Sequence, residues 1–292
     1  MLKGLTIDSS VSNFVNRKAL IYNKKINRKN LKKVELFPVL KRKKLINIVP
    51  IYSNQDKTFL SSNIDTLIMA GGFGKRLHPI TKKIPKPLIK IKNKPIIENT
   101  INHLKKYGLD KVNVSIFYKS EKIKKYFKSK RLKLNINFLN EKKPMGTLGS
   151  VSLLNYKNLK KNLLIYNGDI VSNIDLKNFF QFHQNTNSDI TICAKEYISS
   201  NPFGKLEYTG HKLKKIIEKP SNSSFINAGI YLFKKNVIKN IKKKKIDITD
   251  FLRNKMNSKL KINVYPLYEY WSDIGTLESL KQTVLDINKR KK

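Results

Sequence analysis

The segment Leu67-Ile-Met-Ala-Gly-Gly-Phe-Gly-Lys-Arg-Leu-His-Pro-Ile-Thr-Lys-Lys-Ile-Pro-Lys-Pro-Leu88 constrains the fold more than any other stretch of the chain. A short apolar run, Thr66 to Ala70, reads as a buried strand. It breaks into a glycine cluster, Gly71, Gly72 and Gly74, followed at once by Lys75 and Arg76. A further cation, Lys86, sits between Pro85 and Pro87. Glycines let a backbone approach a ligand closely and leave its N–H groups free to point at phosphate oxygens, while Arg and Lys neutralise phosphate charge. The segment therefore suits a polyphosphate held at the end of a strand, with a tight turn carrying solvated lysines as the alternative. It is not a Walker A loop, because Arg76 stands where Ser or Thr should follow the lysine. Nor is it a G-x-G-x-x-G turn, because no third glycine falls in place and no helix is expected there.

Chain length and composition bound the rest. A chain of 292 residues with 40% hydrophobic residues suits one large domain with an appendage, or two domains. Cys193 is the single cysteine, so no internal disulfide forms, and its apolar surroundings, Ile190 to Ala194, suit a buried strand residue. No apolar run approaches the roughly 18 residues a membrane helix needs, and the N-terminus lacks a signal-peptide core, so a soluble cytoplasmic protein is expected. The net charge of +41 would suit nucleic acid or an anionic membrane. But Lys is enriched together with Asn and Ile, the trio that AT-rich codons favour, and the lysines lie everywhere rather than in one stripe. Specific nucleic-acid binding is not expected. Against that drift, all of the 12 glycines except Gly4, Gly108 and Gly210 fall in the motifs named below.

Residues 1 to 62 read as a separate arm: Val34–Leu40 and Leu45–Tyr52 as a strand pair beside a short helix, then Ser53–Asn63 as a polar linker. From Ile64 strands and helices alternate. Strands are expected at Val112–Tyr118, Leu132–Asn140, Leu163–Tyr166, Asp189–Tyr197, Gly204–Tyr208, Phe225–Phe233 and Val264–Tyr268. Helices are expected at Pro95–Tyr107 (stopped by Gly108), Ser120–Phe127, Asp175–Gln184, Val237–Lys243, Ile248–Met256 and Leu277–Ile287. This order predicts an α/β fold with a mostly parallel sheet and helices on both faces. Ligands in such sheets sit beyond the carboxyl ends of the strands, where Gly71–Arg76 and Asp169 both fall.

Asp169 ends a strand in Asn167-Gly-Asp, and Asp273 lies in Trp271-Ser-Asp-Ile-Gly275. Both are candidate Mg²⁺ ligands, since magnesium is usually held by one or two carboxylates plus substrate phosphates. A turn residue and a helix N-cap are the plainer readings of the two. His78, His103, His183 and His211 are scattered without ligand spacing.

Residues 64 to 288 resemble the sugar-1-phosphate nucleotidyltransferases. The opening signature reads Ala70-Gly-Gly-Phe-Gly-Lys-Arg-Leu77, then Pro79, Thr81 and Pro85-Lys-Pro87. The base-contacting loop reads Met145-Gly-Thr-Leu-Gly149, the metal motif Asn167-Gly-Asp169, the sugar-approaching glycine Phe203-Gly204. Glu218-Lys-Pro220, Asn227-Ala-Gly229 and Trp271-Ser-Asp-Ile-Gly275 complete the set, in order. Lys75 replaces a common Thr, and Met145 and Leu148 alter the base loop. Within the family the chain is most similar to the mannose-1-phosphate guanylyltransferase-like branch that carries N-terminal CBS modules; Phe37–Leu40 with Leu45–Val49 resembles the late part of one, in an arm too short for the usual pair.

The resemblance implies a Rossmann-like, GT-A-like nucleotide-diphospho-sugar transferase fold over residues 63–292, and the joining of a hexose-1-phosphate to an NTP with release of pyrophosphate. It implies that Arg76 holds the triphosphate and that Lys86 stabilises charge at the α-phosphate. Ala70, Gly71, Gly72, Gly74, Glu141, Gly146 and Thr147 would bind the nucleotide, with Gly71, Gly72, Gly146 and Glu141 framing base and ribose; Lys219 would hold the sugar's phosphate, and Gly204, Glu218 and Asn227 the sugar. Asp169 and Asp273 would hold Mg²⁺. GTP with a mannose- or glucosamine-type substrate, for surface polysaccharide or nonulosonic acid synthesis, is the reading favoured. A non-sugar acceptor such as phosphocholine, a basic nucleic-acid-binding protein and a catalytically dead homologue are the rivals; the oligomeric state, a homo-oligomer included, is left open.

Overall fold

The computed structural model describes residues 36–41, 44–50, 54–129 and 135–289. The chain divides into two compact units, Met1–Asp56 and Lys57–Lys292. In the first, Leu36–Lys41 pairs antiparallel with Lys44–Pro50, the strand pair expected there. The short helix expected beside it lies outside the described residues. Ser53–Asn63 is corrected: Asn54–Asn63 is a helix, not a linker. Its Leu60 is buried and the Phe59 ring lies 5.7 Å from Phe180. The stretch carries too few apolar residues to show a helical period, yet one leucine and one ring suffice to dock it.

The second unit is built on a seven-stranded sheet in the order Ile262–Leu267, Ile190–Ser200, Ser221–Lys234, Asn162–Asn167, Ile64–Met69, Lys111–Ile116, Asn135–Asn140. Only Ser221–Lys234 runs antiparallel to its neighbours. Helices flank the sheet, so its central strands are buried on both faces, with Asn113, Ser115 and Thr66 among the buried residues. Leu67, Ile68, Val112, Val114 and Ile165 are all fully buried. Ile96–Lys106 is a helix whose Ile96, Ile97, Ile101 and Leu104 face the core. It ends at Gly108, whose φ of 77° and N–H bond to Lys105 O close the last turn. Leu176–Asn185 starts at Asp175, whose Oδ1 accepts from the N–H groups of Lys177 and Asn178 at 2.9 and 3.1 Å. Cys193 is buried in the sheet, and burial pushes its thiol well up, as suits a packing residue.

Three further departures have local causes. The helix expected at Val237–Lys243 is one turn, Lys235–Ile238. The expected Gly204–Tyr208 strand is Lys205–Thr209, and it pairs with Lys212–Ile217, a strand hidden by its lysines. Strand Ser221–Lys234 is longer than expected, because its first half pairs with Lys195–Ser200 beyond the core.

Two buried histidines couple the fold to pH. Burial holds His103 and His183 down to about 4, with Lys106 and Lys234 adding to the effect. Unfolded, both regain about 6.5. The folded rings are neutral, so the unfolded chain binds more protons below about pH 6.5, and stability is lost as the pH falls from there toward 4. The expected loss is roughly 3 kcal/mol per histidine. Thermal melts from pH 7 to 4 should show this acid limb, and His183→Gln should flatten it; equal slopes in the two proteins would contradict it.

Candidate active site

The order of the sheet reverses between Ile64–Met69 and Asn162–Asn167, whose last paired residues are Met69 and Asn167. A crevice opens at such a reversal, beyond the carboxyl ends of both strands. Ala70–Arg76 and Gly168–Asp169 leave the sheet at that point. Gly168 donates its N–H to Met69 O at 2.9 Å, and a Cβ there would meet that oxygen at 2.5 Å, so only glycine allows the two strand ends to lie this close.

The glycine loop is fixed from several sides. Ala70 N–H bonds Ser115 O at 2.8 Å. Gly71 lies against Glu141, with a Cβ position 3.0 Å from Oε1, while Gly72 faces open space. Gly74 adopts φ 64°, and the Thr81 hydroxyl donates to its carbonyl at 2.8 Å. One-turn helices follow at Lys75–Leu77 and Ile80–Lys83, where none was expected. They carry Arg76 to the C-terminal side of the site: a Cβ on Gly275 would stand 3.2 Å from both terminal guanidinium nitrogens of Arg76 and from Asp273 Oδ2. The missing side chain at Gly275 leaves room for the guanidinium beside Asp273.

Asp169 and Asp273 are brought together by a small ribbon in which Trp271–Asp273 pairs with Ile170–Ser172, Asp273 opposite Ile170. Lys86, in the turn Lys86–Leu88, donates to Asp169 Oδ2 and lies 3.8 Å from Asp273 Oδ1. Burial raises the Asp273 carboxyl, and the neighbouring Asp169 charge raises it further; Lys86 and Arg76 pull it back. Asp273 Oδ1 is buried without a hydrogen-bond partner. Two carboxylates and two cations thus converge on one part of the crevice.

The surroundings of Glu141 and the Met145–Gly149 loop are equally specific. The Ser115 hydroxyl donates to Glu141 Oε1, and Met145 N–H to Oε2 at 2.9 Å. The Met145–Gly149 loop is buttressed by Ile246–Ile248. Gly146 has φ 70°, and a Cβ there would meet Ile246 O at 2.6 Å. Thr147 uses its N–H on Asp247 Oδ1 at 3.2 Å and its hydroxyl to accept from Ile248 N–H at 2.8 Å, so its side chain holds the loop.

Gly204, Glu218 and Lys219 are more open. Gly204 abuts Glu218, 3.2 Å from Oε2 to the Cβ position, and Lys219 has φ 44°; all three are exposed. Asn227 donates from Nδ2 to the Tyr231 hydroxyl at 2.7 Å and accepts Gly229 N–H at 3.0 Å. Tyr231 is pushed up to about 12 by burial, against the Asn227 hydrogen bond and with a contribution from the Asp169 charge. The structure joins Lys86, Asp169 and Asp273 directly, sets Arg76 beside Asp273 across Gly275, and leaves Gly204, Glu218 and Lys219 as a separate group beside the Lys205–Thr209 strand. Ser115, Tyr231 and Asp247 escaped the sequence reading, since each is an ordinary polar residue made relevant only by its partner.

The mostly parallel α/β sheet, with a cation-and-carboxylate cluster at its switch point, has a GT-A-like layout. Residues 65–290 match the profile of the nucleotidyl transferase family, and the chain belongs to that family. It is 31% identical over 216 residues to the mannose-1-phosphate guanylyltransferase catalytic subunit beta of Drosophila melanogaster, covering 72% of this chain and 58% of the fly protein. It is 31% identical over 175 residues to the D-glycero-alpha-D-manno-heptose 1-phosphate guanylyltransferase of Aneurinibacillus thermoaerophilus, covering 60% of this chain and 76% of that one. The crystal structure of HddC from Yersinia pseudotuberculosis superposes with a TM-score of 0.62 at 25% identity, covering 76% of this chain and 99% of that one. The chain spans about 60% of the length of the mannose-1-phosphate guanylyltransferases it matches.

Proposed function

We propose that the chain transfers a nucleotidyl group from an NTP to a hexose-1-phosphate, yielding an NDP-sugar and pyrophosphate, with GTP and a mannose- or glucosamine-type substrate favoured. The convergence of Arg76, Lys86, Asp169 and Asp273 carries this reading. A sugar phosphate oxygen forms a bond to the α-phosphorus while the bond to the bridging oxygen breaks in line, and pyrophosphate leaves with the electron pair. This needs no protein nucleophile, only positioning and charge stabilisation. Arg76 would hold the β- and γ-phosphates and the leaving pyrophosphate, and Lys86 would meet charge developing at the α-phosphate. Lys219 would hold the sugar's phosphate, and Glu218, Asn227 and the bare backbone of Gly204 its hydroxyls, which favours a sugar over a phosphocholine-type acceptor.

Mg²⁺ fits the donor set: two hard carboxylates, one with a buried oxygen that lacks a partner, with substrate phosphates to complete the shell. Bound there by Asp169 and Asp273, it would neutralise phosphate charge. Ala70, Gly71, Gly72, Gly74 and Gly146 would let the nucleotide lie against the backbone, with Thr147 keeping the loop in place. The Glu141 carboxylate can only accept, and guanine offers adjacent N–H donors on one edge, which favours GTP. Among the described residues no helix is long and apolar enough to cross a membrane, and we assign the reaction to the cytoplasm. We assign residues 1–62 as an arm that resembles a remnant of a CBS module, without a nucleotide of its own.

Pyrophosphate release should be measured for each common NTP against mannose-, glucose-, glucosamine- and N-acetylglucosamine-1-phosphate. GTP is expected to lead, and Glu141→Gln to lower kcat/KM for GTP about 10- to 100-fold relative to the other bases. Turnover with no pair would overturn the sugar reading; indifference to the base would overturn the role of Glu141.

A further inference from the structure

We propose that Lys86 is a built-in counter-ion that occupies the divalent-cation seat between Asp169 and Asp273 until a nucleotide draws it away. The inference rests on the metal site assigned above and adds an order of events to it. The Lys86 ammonium donates to Asp169 and lies 3.8 Å from Asp273, so it stands where a cation shared by the two carboxylates would stand. It is also the most enclosed of the three groups, 11% exposed against 27% for Asp169 and 38% for Asp273. The carboxylates keep an open side toward an incoming ligand while the lysine fills the inner one.

The backbone of Lys86 cannot follow its side chain. The turn is closed by Leu88 N–H to Pro85 O at 2.8 Å and Ile89 N–H to Lys86 O at 3.0 Å, between two prolines. The flexible four-carbon stem can swing from such an anchor, and an ammonium is a compact, movable charge where a guanidinium would be a fixed fork. Arg76 lies on the far side of Asp273, beside Gly275.

Formal charge then sets the order. Two carboxylates facing Lys86 and Arg76 are already balanced, so a bare divalent cation entering the nucleotide-free site meets two positive groups and no net attraction. A metal–nucleotide complex is anionic. Its phosphates attract both cations, draw Lys86 off the carboxylates toward the α-phosphate and complete the metal's shell in the same event. The cation therefore enters with the nucleotide. The lysine that waits in its seat becomes the group that stabilises charge on phosphorus.

The test uses Mn²⁺ on the full chain without nucleotide, with free Mn²⁺ read by electron paramagnetic resonance. Wild-type protein should bind weakly. Lys86→Met should bind about tenfold tighter or more, since a like charge is removed from contact distance. Lys86→Arg should stay as weak as wild type, and adding Asp169→Asn to Lys86→Met should abolish the gain. A second readout needs no variant: saturating Mn²⁺ should raise the reactivity of Lys86 toward an acylating reagent, followed by mass spectrometry. Equal or weaker Mn²⁺ binding in Lys86→Met, or Lys86 reactivity unchanged or reduced by Mn²⁺, would overturn the proposal. Neither readout needs turnover. The Mn²⁺ gain without turnover on any substrate pair would remove the transferase reading and leave the counter-ion role; turnover without the gain would do the reverse.

Discussion

Lys86→Met is expected to lower kcat by about 10²- to 10³-fold, or roughly 3–4 kcal/mol, the usual cost of removing one donor aimed at charge that develops in a transition state. The effect should fall on kcat more than on KM for the nucleotide. In the proposed reaction Arg76 would still grip the triphosphate, whereas the α-phosphate acquires its extra charge only as the bond to the leaving group breaks. Lys86→Arg should rescue little, because a rigid guanidinium fork stays paired with the two aspartates, where the compact ammonium swings to the α-phosphate. Initial rates over a nucleotide titration would check this. A variant whose loss lies wholly in KM would move Lys86 from charge stabilisation to ground-state binding.

Asp169→Ala is expected to cost more, about 10³-fold or greater, because a metal clamp on phosphate supplies several kcal/mol of charge stabilisation. It should also leave Lys86 without the carboxylate it donates to, so the empty site carries excess positive charge. That predicts tighter nucleotide binding alongside the lost turnover, a split that a mere folding defect would not produce. Isothermal titration with a non-hydrolysable NTP analogue, set beside the activity assay, separates the two. Full activity in Asp169→Ala would end the metal assignment.

Particular residues show how far sequence reasoning reached. Arg76, Lys86 and Asp169 were legible because each sits just past a buried strand or between prolines, where an apolar run stops and a charge has no packing reason to be. Asp273 was weaker, since its neighbour in the site lies 104 positions earlier, and only the pairing of Trp271–Asp273 with Ile170–Ser172 makes them a pair. Asp247, Ser115 and Tyr231 were not legible. Their side chains act on Thr147, Glu141 and Asn227, contacts set by how loops and strands cross. The helix Asn54–Asn63 was hidden by its polarity and the Lys212–Ile217 strand by its lysines, because composition drift replaces exposed positions without changing the backbone they lie on.

The sequence by itself determined the alternation of strands and helices, the mostly parallel sheet and the glycine-and-cation turn after Ile64–Met69. Those features depend on local patterns of burial and on backbone positions that only glycine or proline satisfies. Tertiary structure alone decided which charges face one another. A carboxylate and an ammonium attract only at close range in a partly dry crevice, and the chain brings Lys86 to Asp169 and Asp273 only after the sheet has reversed its order between Met69 and Asn167.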